Sequence, residues 1–358
     1  MTPTKSGGEI GHEIRVSVIG VGSAASGMIQ AAQLYRQGAG LGILHPVMSV
    51  YSPSDIEVVA AFDVDRKKVG KKLSEALFAN PESLPKYVDV RTNVVVEPGI
   101  IVEKLDADAL ETLSSDFETV SERLKATGCD VVVNTINGGQ SEATLMYAKA
   151  ALAAGAAFVN ATPDPVATNV EAERMFSEAK LPLLGDDLLS QVGGTALHAY
   201  LLQFLNSRGV RVKQTYQLDV GGGLENRLTV KNDLLRNNKR AIKTMTVQSA
   251  LPYAVNVVSG TTEYVDFMGN SRDTHFELVG ESTLGAPIEV EVTLKSTDGA
   301  NAAGPLLDAV RAARIAKDKG LGGAIEEVNP YLFKLVRSVA DPISAEKKFV
   351  EFVAKNSR

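Results

Sequence analysis

Three lysines have positions that indicate chemistry on a negatively charged substrate. Lys239 and Lys243 stand four residues apart, so on a helix they share one face. Lys334 lies in the otherwise apolar segment Tyr331–Val336, where a lysine either extends to solvent or takes part in a site. Lysines on one helix face commonly form a solvated basic surface, but in a closed site they bind a phosphate or a developing oxyanion. The residues alone leave both interpretations open.

A second group of polar residues begins a predicted helix that follows a strand. It lies in the segment Gly185–Thr195, which combines glycines with hydroxyl and amide side chains. The N-terminus of such a helix offers free N–H groups and a partial positive charge, which suits a phosphorylated substrate. Simple capping of the helix by Ser190 is the alternative. The candidate phosphate-binding residues are Ser190, Gln191, Gly193 and Thr195.

Other residues with reactive side chains have ordinary explanations at this level. Asp186 and Asp187 are typical of a solvated turn, unless the pKa of one carboxyl is shifted. Asp298 also indicates a turn, and His198, within a predicted helix, is typical of a core histidine. The single cysteine, Cys129, begins a predicted strand and permits no intrachain disulfide. With four unclustered histidines beside it, no Cys/His zinc site is expected.

The elements that position these residues begin with a glycine turn. Alternating β-branched residues predict a strand at Ile14–Ile19, and apolar residues at helical spacing predict a helix at Ser23–Tyr35. Gly20 and Gly22 lie between them, so the backbone can turn sharply and approach a pyrophosphate closely. The helix N-terminus then supplies N–H groups to the phosphates. A dinucleotide site is predicted, with a phosphate-free turn as the alternative.

The second predicted strand ends in Asp63, a position from which a carboxylate accepts hydrogen bonds from an adenosine ribose. Such a carboxylate favours NAD, while Lys67 and Lys68 leave NADP open as a lesser alternative. Polar residues that follow later strands should lie at the same edge of the sheet. The predicted cofactor-binding residues are Gly20, Gly22, Ser23, Ala24, Ala25, Asp63, Asn137, Asn160 and Asp186.

The repeated strand–helix order predicts an α/β fold, a doubly wound Rossmann sheet that binds NAD, with an inserted α+β domain carrying a large open sheet. Residues 1–195 and 301–358 form the first domain, and residues 196–300 form the α+β domain for catalysis and oligomerisation. Within them, helices are expected at Arg66–Phe78 and Pro305–Lys319, and a short strand at Met245–Val247. The second sheet is expected to be antiparallel and to favour oligomers.

Composition excludes several classes of protein. The chain has 358 residues, 44% of them apolar and 22% charged, with a net charge of −6. This acidic balance disfavours nucleic acid as a partner, and no apolar run is long enough to span a membrane. Residues 1–14 lack the apolar core of a signal peptide, so we expect a cytoplasmic enzyme.

Five segments together make the chain resemble the myo-inositol-1-phosphate synthase family, chiefly its shorter archaeal and actinobacterial branch. The resemblance extends from about residue 14 to residue 335. The segments are Val18–Gly22, Val59–Gly70, Phe158–Pro163, Gly185–Gly193 and Asp308–Gly323.

The resemblance implies an isomerase that uses NAD as a recycled catalyst. In that reaction glucose 6-phosphate is oxidised at C5, loses a proton at C6, closes by aldol addition onto C1 and is reduced again. It also implies a homotetramer that serves inositol and phospholipid biosynthesis. Whether a monovalent or divalent cation assists is left open, and no metal ligands are predicted.

By motif, the resemblance assigns catalytic roles to six residues of this chain. They are Lys239, Lys243, Lys334, Asp187, Asp298 and Arg272. It also places Ser190 and Gln191 in a phosphate-binding turn.

Three departures from the family pattern favour an alternative hypothesis for the function. Leu189 and Arg272 stand where the family has lysines, and arginine cannot carry protons at neutral pH. Gly223 lacks an amide that would contact substrate. The alternative is a divergent NAD-dependent oxidoreductase or cyclase that acts on another sugar phosphate.

Overall fold

A computed structural model describes residues 12–81, 83–103 and 111–357. Runs rich in Val, Ile and Phe that are largely buried form the central strands of the larger sheet, as expected for a parallel sheet covered by helices. The strands are β1 Ile14–Ile19, β2 Ile56–Asp63, β3 Val96–Ile100, β4 Ser114–Ser115, β5 Val131–Asn134, β6 Ala157–Asn160, β7 Pro182–Leu184, β8 Arg211–Gly221, β9 Asn256–Tyr264, β10 Ser271–Glu281, β11 Pro287–Thr297 and β12 Gly323–Ala324.

Helices cover the parallel sheet and one face of the second sheet. They are α1 Ser23–Arg36, α2 Leu73–Ala76, α3 Phe117–Thr127, α4 Ser141–Ala153, α5 Val170–Glu178, α6 Gly194–Ser207, α7 Leu224–Lys231, α8 Asp233–Gln248, α9 Asp298–Asp318, α10 Asn329–Leu332 and α11 Pro342–Lys355. None of these described helices has the length and apolar character needed to cross a membrane.

The larger sheet has the order β12-β7-β6-β5-β1-β2-β3-β4, and every neighbouring pair is parallel. The chain therefore winds outward in both directions from the pair β1 and β5. In such sheets ligands bind beyond the carboxyl ends of the strands where the winding reverses. The predicted doubly wound α/β fold is confirmed.

The smaller sheet is mixed, so the prediction of an antiparallel sheet is wrong for one pair. Its order is β11-β10-β8-β9, and β10 is antiparallel to both of its neighbours. Strands β8 and β9 are parallel. The physical reason is the connection between them: α7 and α8 form a crossover long enough to return the chain to the same end of the sheet.

Two predicted elements, a helix and a short strand, are replaced by other structure. The helix expected at Arg66–Phe78 is reduced to Leu73–Ala76. Gly70 adopts a φ of +82°, and the amide of Leu73 donates to the carbonyl of Val94 at 2.8 Å. Pairing with a distant segment therefore overrides the helical spacing of the side chains. The strand expected at Met245–Val247 is instead the last turn of α8.

Helix α9 begins at Asp298 rather than at Pro305, so the predicted start is wrong by seven residues. Proline inside a helix leaves the carbonyl four residues earlier without its N–H partner. Here that carbonyl belongs to Asn301, and it accepts a hydrogen bond from the amide of Gln191 at 2.9 Å. The extra turns of α9 are thus stabilised by the candidate phosphate turn.

A close approach of two helices positions the start of α9. A Cβ atom at Gly27 of α1 would lie 2.1 Å from the carbonyl oxygen of Gly299. Only glycines at this crossing allow the two backbones to meet. The N-termini of α1 and α9, with Ser23 and Asp298, are brought together by this contact.

Candidate active site

The glycine turn after β1 has the geometry that a dinucleotide requires. Gly20 adopts a φ of +83°, and a Cβ atom there would lie 2.8 Å from the amide of Ile136. Gly22 precedes α1, and no side chain caps the helix at that residue. A Cβ atom at Gly22 would meet no protein atom within 4 Å, although the residue lines the main cleft. The turn therefore leaves free N–H groups and open space in front of them.

Asp63 closes this end of the cleft. Its Oδ2 accepts a hydrogen bond from the amide of Val21 at 2.7 Å and one from Nζ of Lys68 at 3.2 Å. Its Oδ1 accepts from the amides of Val64 and Asp65. The carboxylate is thereby fixed beside the glycine turn, and Lys68 is paired with it. These residues fit the predicted site for NAD.

The main cleft has a volume of about 380 Å³ and joins the glycine turn to a cluster of charged side chains. Most predicted site residues line it. They are Gly20, Gly22, Ser23, Ala24, Asp63, Asn137, Asp187, Ser190, Lys239, Lys243, Arg272, Asp298 and Lys334.

Three predicted cofactor-binding residues lie behind the cleft wall instead. Ala25 is packed in the core under α1. Asn160 is fully buried and donates from Nδ2 to Oδ1 of Asp186 at 2.7 Å. Asp186, also fully buried, accepts further hydrogen bonds from the amides of residues 166–168. Burial raises the pKa of Asp186 to about 6, although these donors oppose the shift. Both polar residues support the loop that carries Asp187.

The predicted phosphate turn is divided between two cavities. Ser190 lines both the main cleft and a second cavity of about 170 Å³. Gln191 and Thr195 line only the second cavity, and Nε2 of Gln191 donates to the carbonyl of Gly42 at 2.8 Å. Gly193 lines neither described cavity and lies against Ser190. Ser190 is therefore the member of this set that reaches the main cleft.

Helix α8 turns its two lysines inward. Asn232 caps the helix by accepting from the amide of Leu235 at 3.0 Å. The buried stripe of the helix contains Leu235, Lys239, Ile242 and Lys243, and both lysines are only 6% exposed. The spacing thus places two ammonium groups on the core-facing side of an otherwise polar helix. This contradicts the interpretation of a solvated basic face for these two residues.

A backbone bridge fixes the third lysine. The amide of Lys334 donates to the carbonyl of Asp187 at 2.8 Å, and the amide of Leu335 donates to that of Asp186 at 2.9 Å. The side chains of the first pair then meet, with Nζ of Lys334 2.8 Å from Oδ1 of Asp187. Two segments that are far apart in sequence are thereby aligned at one wall of the cleft.

Each cationic side chain of the charged cluster contacts a carboxylate. Lys239 pairs with Glu225 and also donates to Oγ1 of Thr229 at 3.1 Å. Lys243 pairs with Asp219. The other contacts are Lys334 with Asp187, and Arg272 with Asp298 at 2.8 Å and Glu225 at 3.7 Å.

The electrostatics of the cluster follow from burial and from these pairs. Burial opposes the charge on Asp219, but Lys243 and Arg272 outweigh it and lower the pKa of Asp219 to about 2. Lys239 lowers the pKa of Glu225. Burial lowers the pKa of Lys243 despite the favourable effect of Asp219. Burial also raises the pKa of Asp298, against the effect of Arg272. The cleft thus holds charges that water does not fully solvate.

Sequence reasoning missed two members of the cluster, Asp219 and Glu225. Asp219 occupies an inward-facing position of β8, where the alternation calls for an apolar residue. An acidic residue at such a position is the signal that could have identified it. Glu225 begins α7, and only its contact with Lys239 in the folded chain distinguishes it from an ordinary first-turn carboxylate.

In the parts of the chain that the structure describes, no group of three or more His, Cys, Asp or Glu side chains could hold a metal ion. The cleft instead offers ammonium and guanidinium groups beside carboxylates. Such a set can neutralise an oxyanion as it forms and can move protons over short distances. The glycine turn at the other end of the same cleft is suited to a dinucleotide.

Comparison with known proteins identifies relatives over most of the chain. Residues 193–299 match the family model for myo-inositol-1-phosphate synthase. Inositol-3-phosphate synthase of Mycolicibacterium smegmatis is 38% identical over 337 residues, covering 90% of this chain and 93% of the relative. Inositol-3-phosphate synthase of Corynebacterium glutamicum is 37% identical over 341 residues, with coverage of 90% and 93%. The solved inositol-3-phosphate synthase of Caenorhabditis elegans shares the fold, with a TM-score of 0.80 at 13% identity over 96% of this chain and 86% of that chain.

Proposed function

The chain belongs to the myo-inositol-1-phosphate synthase family of isomerases, and we propose that it converts D-glucose 6-phosphate to inositol phosphate with recycled NAD. One observation carries this proposal: a single cleft connects the glycine turn to a cluster of four buried or half-buried ion pairs. Oxidation followed by ring closure requires both ends within reach of one substrate molecule.

The residues at the turn would hold the dinucleotide. The amides after Gly22 at the start of α1 point toward the space for a pyrophosphate, and Asp63 stands where an adenosine ribose would lie. NAD, when bound, supplies the acceptor for the hydride of C5 and its return after ring closure. Asn137 lines the cleft beyond the turn and is the remaining predicted contact that faces it.

The charged cluster would perform the steps that follow oxidation. A ketone at C5 makes the C6 protons acidic, and the enolate formed by their loss requires a nearby cation. Lys243 and Lys334 provide ammonium groups for this oxygen and for the C1 oxygen during aldol closure. Asp187, in contact with Lys334, is placed to accept a proton in the same steps. Arg272 stays charged and serves as a fixed anion-binding group.

The experiment that tests the proposal uses purified protein, glucose 6-phosphate and a catalytic amount of NAD. The phosphorylated sugar is followed by phosphorus NMR and the cofactor by absorbance. The expected result is a new inositol-phosphate resonance without net formation of NADH. Unchanged glucose 6-phosphate, with NAD binding shown separately by calorimetry, would contradict it.

A second candidate function is supported by one feature of the cleft. Gly223 lines it, and a Cβ atom there would meet no protein atom within 4 Å, so a substrate of different shape has room at that wall. The second candidate is an NAD-dependent oxidoreductase or cyclase for another sugar phosphate. A panel of sugar phosphates assayed under the same conditions distinguishes the two candidates: steady NADH formation, or turnover of another sugar alone, favours the second.

We also propose that the enzyme is a cytoplasmic homotetramer. The support for association between copies is the outer face of the smaller sheet, which no described helix covers and where Val258 is exposed. Light scattering of the purified chain tests this assembly, and a monomeric mass at micromolar concentration would contradict it.

A further inference from the structure

A chain of buried polar side chains lies beneath the charged cluster. Thr215, Gln217 and Asp219 occupy successive inward-facing positions of β8, and the last two are 1% exposed. Nε2 of Gln217 donates to both carboxylate oxygens of Asp219, at 3.0 and 3.1 Å. Oγ1 of Thr274 donates to Oδ1 at 2.8 Å. Lys243 donates to Oδ2. The carboxylate is therefore held by Gln217, Thr274 and Lys243, and Oδ2 is the oxygen that contacts the ammonium group.

The direction of these hydrogen bonds is fixed by the groups involved. A carboxylate only accepts, so the amide nitrogen of Gln217 must face Asp219, and its Oε1 then faces Nδ1 of His198 at 3.3 Å. Oγ1 of Thr215 lies 2.7 Å from Nε2 of His198 and 2.6 Å from the carbonyl oxygen of Glu277, so its one proton is available to either acceptor. An amide oxygen only accepts, so Nδ1 of His198 carries the proton of the neutral ring and donates to Oε1, and Nε2 is left as the acceptor that faces Oγ1 of Thr215.

This arrangement excludes a proton relay from the buried histidine to Asp219. Burial lowers the pKa of His198 to about 4, so the ring is neutral near pH 7, and the N–H of a neutral imidazole is too weak an acid to pass its proton through Gln217. Gln217 and Thr274 orient the carboxylate, and the balancing positive charge comes from the cleft side alone.

We infer that Asp219 is a positioning residue, which holds the ammonium of Lys243 at the wall of the cleft and keeps it protonated at neutral pH. The inference rests on the proposed function for the role of Lys243 in turnover. The ion pair itself does not depend on that function and is measurable without substrate.

The surroundings of Lys243 show why this carboxylate matters. Arg272 from β10 and Lys334 from the segment after α10 face Lys243, and both disfavour a further positive charge, as burial does. Asp298 at the start of α9 also faces it, but this carboxylate contacts Arg272 at 2.8 Å. Asp219 is the carboxylate in direct contact with the ammonium. Its removal leaves burial, Arg272 and Lys334 to lower the pKa of Lys243, opposed only by Asp298, which contacts Arg272 instead of this lysine.

The neighbouring pair of Lys239 and Glu225 provides an internal control. Lys239 lies one turn earlier on α8 and is as buried as Lys243. Its carboxylate partner, however, is 49% exposed at the side chain and lies in the cleft. Lys239 also donates to Thr229 at 3.1 Å, a contact that a change at Asp219 leaves in place.

The experiment compares the parent chain with Asp219→Asn and the matched control Glu225→Gln. Each is treated with trace acetic anhydride over a range of pH, and mass spectrometry gives the labelling midpoint of each lysine. We expect Asp219→Asn to lower the midpoint of Lys243 by about one pH unit or more and to leave that of Lys239 unchanged. Glu225→Gln leaves the contact between Asp219 and Lys243 in place, so it should leave the midpoint of Lys243 unchanged. The alkaline limb of kcat should move with the Lys243 midpoint.

Two outcomes overturn the inference. One is an unchanged Lys243 midpoint in Asp219→Asn that keeps the parent's circular dichroism spectrum. The other is a parent midpoint for Lys243 below pH 7, which needs no variant and decides the matter if Asp219→Asn does not fold. If the labelling shifts as expected but the parent does not turn over glucose 6-phosphate, the proposed function fails and the role of Asp219 in charging Lys243 stands.

Discussion

The two ends of the cleft are built in different ways. At the proposed cofactor end, the glycine turn and the start of α1 are contiguous in sequence, and they would bind mainly through backbone N–H groups. At the substrate end, the ion pairs join side chains from β8, α7, α8, β10, α9 and the loops near residues 187 and 334. Binding at the first end depends on backbone shape, whereas chemistry at the second depends on charges assembled by the tertiary fold. A substitution at one end should therefore leave the other end's property largely intact.

The largest expected effect is at the substrate end. Lys243→Ala should lower turnover by at least ~10²-fold, because it removes the cation assigned to the developing oxyanion. NAD affinity, measured by calorimetry, should stay nearly unchanged, since the glycine turn is not altered. The change also leaves Asp219 without its direct partner, at a cost of about 3–5 kcal/mol in unfolding free energy.

Thermal unfolding must therefore be measured beside turnover. Lys295→Ala is the matched control, because this lysine lies on β11 with its side chain 76% exposed. Turnover of Lys243→Ala within about threefold of the parent would remove its assigned role and the contrast between the two ends.

The next effect concerns acid stability at the substrate end. Burial lowers the pKa of His198 to about 4 from an unfolded value of 6.5, so the folded state disfavours its protonation. The contribution of the neutral His198 ring to the unfolding free energy is fully present above pH 6.5 and is lost as the pH falls toward 4. At pH 5 the loss is about 2 kcal/mol.

His198→Gln removes this titration. The gap in unfolding free energy between parent and variant should therefore narrow by about 2 kcal/mol between pH 7.5 and pH 5. Calorimetric unfolding at the two pH values measures it, and His275→Gln on the exposed face of β10 is the control. A gap of constant size would show that His198 titrates equally in both states.

The difference between the glycine turn, which is contiguous in sequence, and the ion pairs, which join distant segments, also explains which parts of the structure could be predicted from the sequence. The doubly wound sheet and the turn at Gly20 and Gly22 follow from local order, in which each strand and helix is signalled by its own residues. Lys239 and Lys243 were identifiable from spacing, although only the fold shows which face of α8 is buried. The partners Asp219 and Glu225 were not identified, because their significance depends on contacts across β8, α7 and α8.

Where the predictions from the sequence were wrong, a contact with a residue far away in the sequence usually determined the structure. The backbone of Leu73 pairs with Val94 and shortens the expected helix there. The carbonyl of Asn301, left free by Pro305, is satisfied by Gln191, so a helix continues through a residue that normally begins one. The predicted phosphate turn is also divided between two cavities, because α6 places Thr195 at the second cavity and not at the main cleft.

A smaller effect is expected at the cofactor end. Gly22→Val places a side chain in the open space where the pyrophosphate is proposed to lie, and the φ of −98° at this residue suits valine. NAD affinity should fall by about tenfold or more, about 1.4 kcal/mol, with an unchanged unfolding temperature.

Gly20→Ala is the contrasting variant at the same turn. Its φ of +83° and the 2.8 Å approach of a Cβ atom to the amide of Ile136 predict a lower unfolding temperature. If Gly22→Val bound NAD as tightly as the parent, the cofactor would not lie over the glycine turn. The statement that cofactor binding depends on the backbone shape of this turn would then be wrong.

The smallest expected effect is at Leu189, and it is compared with the effect at Gly223. Both residues depart from the family pattern. Leu189 lines the second cavity rather than the main cleft, and its backbone is held by the carbonyl of Leu332 at 2.8 Å. Leu189→Lys should therefore change KM for the phosphorylated sugar by less than about threefold, within the ~1 kcal/mol typical of a partly solvated charge. Gly223→Asn adds an amide within the main cleft and should change KM more, in either direction. A larger effect at Leu189 than at Gly223 would mean that the substrate phosphate lies in the second cavity, beside Gln191 and Thr195, and that the substrate end extends beyond the ion pairs.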